Sequence, residues 1–144
     1  LVLAADAAII TQSSDTSRRI AATEFFQGLF TTALEDGEII TEIRVPVPAE
    51  GTKTNYQKFS QPASRFAIVG CAVMKKPDGK TNIAFTGVSE APFRDAAAEA
   101  AASADAAVAA AAEGITIMGD HFASEEYRKH LAKVYLKKAL QAVA

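Results

Sequence analysis

Asp120, His121 and Ser124 are the nearest approach in this chain to a carboxylate, an imidazole and a hydroxyl that could share a proton. Such relays are defined by geometry rather than closeness in sequence. Three residues at the start of a helix read instead as capping and surface groups. His130 lies between Lys129 and Lys133 on a second helical stretch and reads as solvated rather than as a metal ligand. Cys71 is the single cysteine, set in an apolar run, where it reads as a small core residue. With one cysteine there is no intramolecular disulfide and no multi-cysteine zinc or iron–sulfur site. Glycine-rich phosphate loops (G-x-G-x-x-G and G-x-x-x-x-G-K-[ST]) are absent, as are H-E-x-x-H, C-x-x-C and G-x-S-x-G, so no self-contained nucleotide or hydrolytic site is visible.

The bulk properties narrow the classes further. A chain of 144 residues fits one domain, or one small domain with a fragment of another. Lys and Arg number 15 against 17 Asp and Glu, with both signs mixed along the chain, so there is no basic footprint for nucleic acid. No apolar run approaches the ~20 residues that span a bilayer, and Asp6 interrupts the apolar opening, which therefore lacks the form of a secretory leader. The simplest compartment is a reducing cytoplasm. Opening on Leu1, with an apolar stretch already under way, is the pattern of a cut within a longer polypeptide, and equally of processing or a removed tag.

The elements that must position any site read as follows. Ala7 to Thr11 and Arg18 to Ile20 flank the polar turn Gln12-Ser13-Ser14-Asp15 and predict a hairpin. Thr23 to Phe26 predicts a short helix or turn. Gly37 ends that unit, and Glu38 to Val45 alternates as a strand. Pro46, Pro48 and Gly51 then mark a boundary. Beyond it, Thr54 to Phe59, Phe66 to Met74 and Thr81 to Val88 read as three strands, the last two joined by the turn Lys76-Pro77-Asp78-Gly79-Lys80. The middle strand is apolar on both faces and belongs at the centre of its sheet. The alanine-rich stretch from Asp95 to Ala112 predicts one helix ending near Gly114. Ser124 caps a last helix from Glu125 to about Val143, with Tyr127, Leu131 and Val134 on one face. The class is α+β.

Four passages, in order, carry a family resemblance. They are Glu24-Phe25-Phe26-Gln27-Gly28-Leu29-Phe30 with Gly37-Glu38-Ile39-Ile40-Thr41-Glu42-Ile43-Arg44-Val45-Pro46; Tyr56-Gln57-Lys58-Phe59 with Ser64-Arg65-Phe66-Ala67-Ile68-Val69-Gly70; Thr86-Gly87-Val88-Ser89 with Pro92 and Arg94; and Ser124-Glu125-Glu126-Tyr127-Arg128-Lys129-His130-Leu131. Together they resemble the FAD-binding (medium) subunit of the molybdenum hydroxylases, the carbon monoxide and xanthine dehydrogenase type. The resemblance implies that residues 1–48 are the end of an FAD-binding subdomain. Residues 52–144 would be a C-terminal domain with a three-stranded antiparallel sheet packed with helices. The family's glycine-rich flavin loops lie N-terminal to everything in this chain.

The same resemblance implies three flavin-proximal residues. Ile40 aligns with an aliphatic residue near the isoalloxazine, Lys58 with a lysine contacting the cofactor, and Phe66 with an aromatic position, often tyrosine, that shields one ring face. By residue type alone, Lys58 reads as a strand lysine pointing to water, and Phe66 and Ile40 as core. Gly87, Pro92 and Arg94 read as structural, and Tyr127 and Arg128 as packing or subunit contacts. The function implied is that of an oxidoreductase subunit. A large partner subunit would act at molybdenum held by molybdopterin, a small partner would carry two 2Fe–2S clusters, and FAD in the medium subunit would pass electrons to an acceptor. The rival expectation is a structural or interaction domain that binds no flavin by itself.

Overall fold

The structure, a computed structural model, describes residues 1–144. Its first part is built on a hairpin of β1 (Ala8–Gln12) and β2 (Ser17–Ala21), paired from Ala8 with Ala21 to Gln12 with Ser17. The turn closes as predicted. Ser13 Oγ accepts the amide of Thr16 at 3.2 Å, and the Ser13 amide donates to the Thr16 carbonyl at 2.8 Å. A single-turn helix α1 (Ala22–Phe25) follows, and then a minimal hairpin of β3 (Phe26–Gly28) and β4 (Thr31–Thr32). Strand β5 (Ile39–Arg44) pairs antiparallel with the other side of β1, giving the order β2-β1-β5. Central β1 is buried along most of its length, and Ile9, Ile20 and Phe25 pack together beneath it. Edge strand β5 is exposed at every position.

After Pro46 to Gly51 the second sheet begins. Strands β6 (Lys53–Ser60), β7 (Ala67–Lys75) and β8 (Thr81–Thr86) form an antiparallel meander. A two-residue strand, β9 (Phe93–Arg94), joins β8 and makes the sheet four-stranded rather than three-stranded. No alternating run announces so short a strand. β7 is central and covered on both faces, as its composition predicts. Val69, Cys71 and Val73 turn to one side with Ile83 and Phe85 of β8, inside the main core. Ala72 and Ala84 turn to the other side, against Leu3, Ala4, Ala7 and Ala22. The small residues on that face let the N-terminal segment lie against the sheet. Burying each large side chain of the core contributes about 1.5–3 kcal/mol.

The alanine stretch is not one helix. It divides into α2 (Ala96–Glu99) and α3 (Ala104–Ala110). Side-chain hydrogen bonds outweigh alanine's helix propensity here. Asp95, buried, accepts the amides of Ala98 and Ala112 at 3.0 and 2.7 Å. Glu99 turns away to accept the Ile83 amide at 2.7 Å and to pair with Arg94. Ser103 then caps a new helix through the Ala106 amide at 3.2 Å.

The last helix, α4 (Glu125–Ala142), starts at the predicted cap, with Ser124 Oγ accepting the Tyr127 amide at 3.2 Å. Of the three residues expected on one face, only Leu131 is buried. Arg128, Leu131, Ala132, Leu136 and Ala139 face the sheet, and Tyr127 is left at the margin, edge-on to Phe59 at 6.1 Å between ring centres.

Asp6 ties the two parts together. Its carboxylate accepts from Lys76 at 2.9 Å, Asn82 at 2.8 Å and Arg94 at 2.7 Å, and Arg94 also reaches the Leu3 carbonyl at 3.2 Å. Arg94 therefore has the structural role expected of it. No helix is long and apolar enough to cross a membrane.

Candidate functional site

The residues singled out for hydroxyl or imidazole chemistry do not converge on a relay. Asp120 accepts the amides of Phe122 and Ala123 at 2.9 and 3.0 Å and pairs with Arg128 at 2.7 Å, which holds its carboxyl below the usual range. Ser124 serves as a cap. The His121 ring lies against Phe122, and His130 is exposed. Cys71 is fully buried, and burial pushes its thiol up to about 12. No group of three or more His, Cys, Asp or Glu could hold a metal ion.

Of the other candidates, Phe66 ends the β6–β7 connection and Lys58 lies on β6 leading into it. On β6 the side chains alternate: Phe59 packs among the residues facing α4, so Lys58 and Tyr56 point to the opposite face. Lys58 is paired in register with Gly70. A Cβ on Gly70 would meet the Tyr56 hydroxyl and the Thr86 methyl, so glycine is what lets the Tyr56 ring fold over β7 beside Lys58. The connection curls back on itself. The Arg65 amide donates to Gln61 O at 2.9 Å, the Gln61 amide donates to Phe66 O at 2.8 Å, and Arg65 adopts φ +64.

The Lys58 ammonium donates to the Arg65 carbonyl at 3.1 Å, so the charge rests on the peptide immediately before Phe66. No carboxylate pairs with Lys58 or with Arg65. The Phe66 ring is 78% exposed, and Ile40 on β5 is 44% exposed, so neither belongs to the core as residue type alone suggests. The Lys58 ammonium thus reaches the loop that carries Phe66. Ile40 lies in the other sheet, paired with Thr11.

An exposed aromatic residue next in sequence to the carbonyl that an unpaired ammonium grips offers groups suited to a flat, anionic ring system. The pair offers a surface to stack on and a charge that strengthens as water is excluded. That donor set fits the ring end of a flavin. The pyrophosphate end has no counterpart here, because the chain contains no glycine-rich phosphate loop.

Sequence reasoning left Arg128 as a packing or subunit contact and did not foresee the support it gives beneath this loop. Arg128 is buried and donates through Nη1 to the Ile68 carbonyl at 2.6 Å and to the Gly87 carbonyl. Gly87 has φ +76, and a Cβ there would collide with the Ile68 carbonyl oxygen. The available signal was a cation falling on the buried stripe of α4.

Comparison with known proteins identifies the family and the fold. The family model described as CO dehydrogenase flavoprotein C-terminal domain matches residues 54–143, and that of the FAD binding domain in molybdopterin dehydrogenase matches residues 1–48. The carbon monoxide dehydrogenase medium chain of Hydrogenophaga pseudoflava is 30% identical over 99% of this chain and 54% of its own length. The glyceraldehyde dehydrogenase medium chain of Sulfolobus acidocaldarius is 33% identical over 100% of this chain and 55% of its own. A solved carbon monoxide dehydrogenase from H. pseudoflava superposes with a TM-score of 0.90 at 30% identity, over 99% of this chain and 54% of that one. The chain spans about half the length of the curated relatives it matches.

Proposed function

This chain belongs to the CO dehydrogenase flavoprotein family, and on that premise we propose that it forms one wall of the FAD site in the medium subunit of a molybdenum hydroxylase. In this reading residues 1–48 are the end of the FAD-binding subdomain and residues 52–144 the C-terminal domain. The fully exposed strand β5, with Ile39, Ile43 and Val45 uncovered, supports residues 1–48 being part of a larger unit. The glycine-rich loops that hold the pyrophosphate would come from a segment outside these 144 residues.

The observation that carries the proposal is the Lys58 ammonium held on the peptide preceding the exposed Phe66 ring. Bound FAD would supply the electron transfer, accepting electrons from a partner's iron–sulfur clusters and passing them to an acceptor. Lys58 would stabilise the negative charge that reduction places on the pyrimidine side of the ring. Phe66 would cover one ring face and limit the approach of water. Phenylalanine cannot offer the hydrogen bond that a tyrosine could. Ile40 would add aliphatic surface from β5. The partners are a large molybdopterin subunit and a small iron–sulfur subunit, and the compartment is the cytoplasm.

Visible absorption of FAD tests the proposal. Titration into the complete flavin subunit should give shifted, structured bands, altered by Lys58→Met or Phe66→Ala, whereas the 144-residue chain alone should leave micromolar FAD unchanged. Bands from the complete subunit that neither substitution alters would contradict it.

A further inference from the structure

Arg128 combines features that a stabilising residue would not need. Its guanidinium is buried, and its Nε–H is the one buried side-chain donor left without a partner. A buried cation with an unmet donor is costly, and well-packed apolar side chains often serve stability as well or better. What the fork does achieve is geometric. It grips the Ile68 carbonyl at 2.6 Å, two residues after Phe66, together with the Gly87 carbonyl at the end of β8. Nη2 is anchored at 2.7 Å to Asp120, which itself caps the Phe122 and Ala123 amides ahead of α4. Three segments distant in sequence thus meet on one planar group. Lysine, a point charge with no fork, could not hold all three acceptors in these directions.

We propose that Arg128 is a positioning residue that fixes the β6–β7 loop, and with it Phe66 and the Lys58 ammonium, by clamping the start of strand β7 to the end of β8 and to the start of α4. The clamp follows from the chain's own geometry. Only the purpose of holding the loop, presenting a ring and a charge to flavin, rests on the reading of the site as a flavin wall.

Trypsin reads the loop without any flavin. Arg65 lies in the loop, whereas Lys80 lies in the β7–β8 hairpin at the other end of the sheet and serves as an internal reference. In the full chain, Arg128→Ala should speed cleavage after Arg65 about tenfold relative to cleavage after Lys80. Millimolar guanidinium should restore the ratio, and methylammonium should not. Asp120→Asn, which keeps the fork but loosens its anchor, should give a smaller selective rise and covers the case in which Arg128→Ala fails to fold. Equal acceleration at both sites, or none at Arg65, would overturn the clamp. In the complete flavin subunit, Arg128→Lys should weaken FAD binding and alter the visible circular dichroism of the bound flavin. A wild-type subunit that binds no FAD counts against the flavin reading and leaves the trypsin result standing. A wild-type subunit that binds FAD while the Arg128→Lys variant binds it identically counts against Arg128.

Discussion

The Lys58 ammonium sits 3.1 Å from the carbonyl oxygen of Arg65, so a cation from mid-strand β6 is docked on the backbone that presents Phe66. This couples two residues that alternation along a strand would not bring together. It also makes the charge and the ring a unit whose members can be removed one at a time.

Removing the ring should affect binding and not folding. Because Phe66 is 78% exposed, Phe66→Ala should change stability by no more than about 0.5 kcal/mol. An aromatic contact is worth about 0.5–1.5 kcal/mol beyond its buried area, so FAD affinity of the complete subunit should fall roughly 3- to 10-fold. Equilibrium dialysis beside thermal melting checks both halves.

Acid stability should depend on Glu38. Hydrogen bonds from Arg18, helped by the Glu35 amide and Thr11, hold its carboxyl at about 2. A carboxylate depressed in the folded state stabilises fully above its unfolded pKa, near 4.5, and loses that contribution as pH falls toward 2. Wild-type stability should therefore decline between about pH 4.5 and 2. Glu38→Gln should flatten part of that decline while lowering stability at pH 7. Urea midpoints across this range provide the measurement, and a parallel decline in both proteins would refute the assignment.

Gly87 should not tolerate a side chain. With φ +76 and the Ile68 carbonyl where Cβ would lie, Gly87→Ala should cost about 2–3 kcal/mol or more. Calorimetry should show a fall of roughly 8–12 °C in Tm. Gly79, at φ +86 with nothing nearby, should lose less on the same change, since only the backbone term remains.

Cys71 should be chemically silent in the native state. Its thiol is fully buried and pushed up to about 12 by burial, with the Asp95 carboxylate adding to the effect. Dithionitrobenzoate at pH 8 should label it only on unfolding. Rapid native labelling would mean that the sheet–helix core opens easily.

Much of this architecture was legible from local signals. The Ser13–Thr16 turn, the Ser124 cap and the apolar β7 announce themselves within a few residues. The break between α2 and α3 was hidden because its cause is long-range: Glu99 satisfies the Ile83 amide, 16 positions away. Arg128 was hidden for the same reason, its acceptors Ile68 and Gly87 lying 60 and 41 positions away. Packing or a subunit contact was the expectation for Arg128, but which backbone carbonyls it would hold depends on the sheet that buries it. Phe66 and Ile40 show the converse. Their types say core, their surroundings leave them uncovered, and only the family resemblance pointed to a reason.

The midpoint potential of FAD bound to the complete subunit tests the central claim most directly. A charge about 4 Å away at the effective dielectric of a protein surface interacts by up to ~4 kcal/mol. Even a third to two-thirds of that moves a two-electron couple by about 30–60 mV. Lys58→Met should lower the potential by that amount, with folding intact. A potential that is unchanged or raised would contradict the placement of Lys58 beside the flavin.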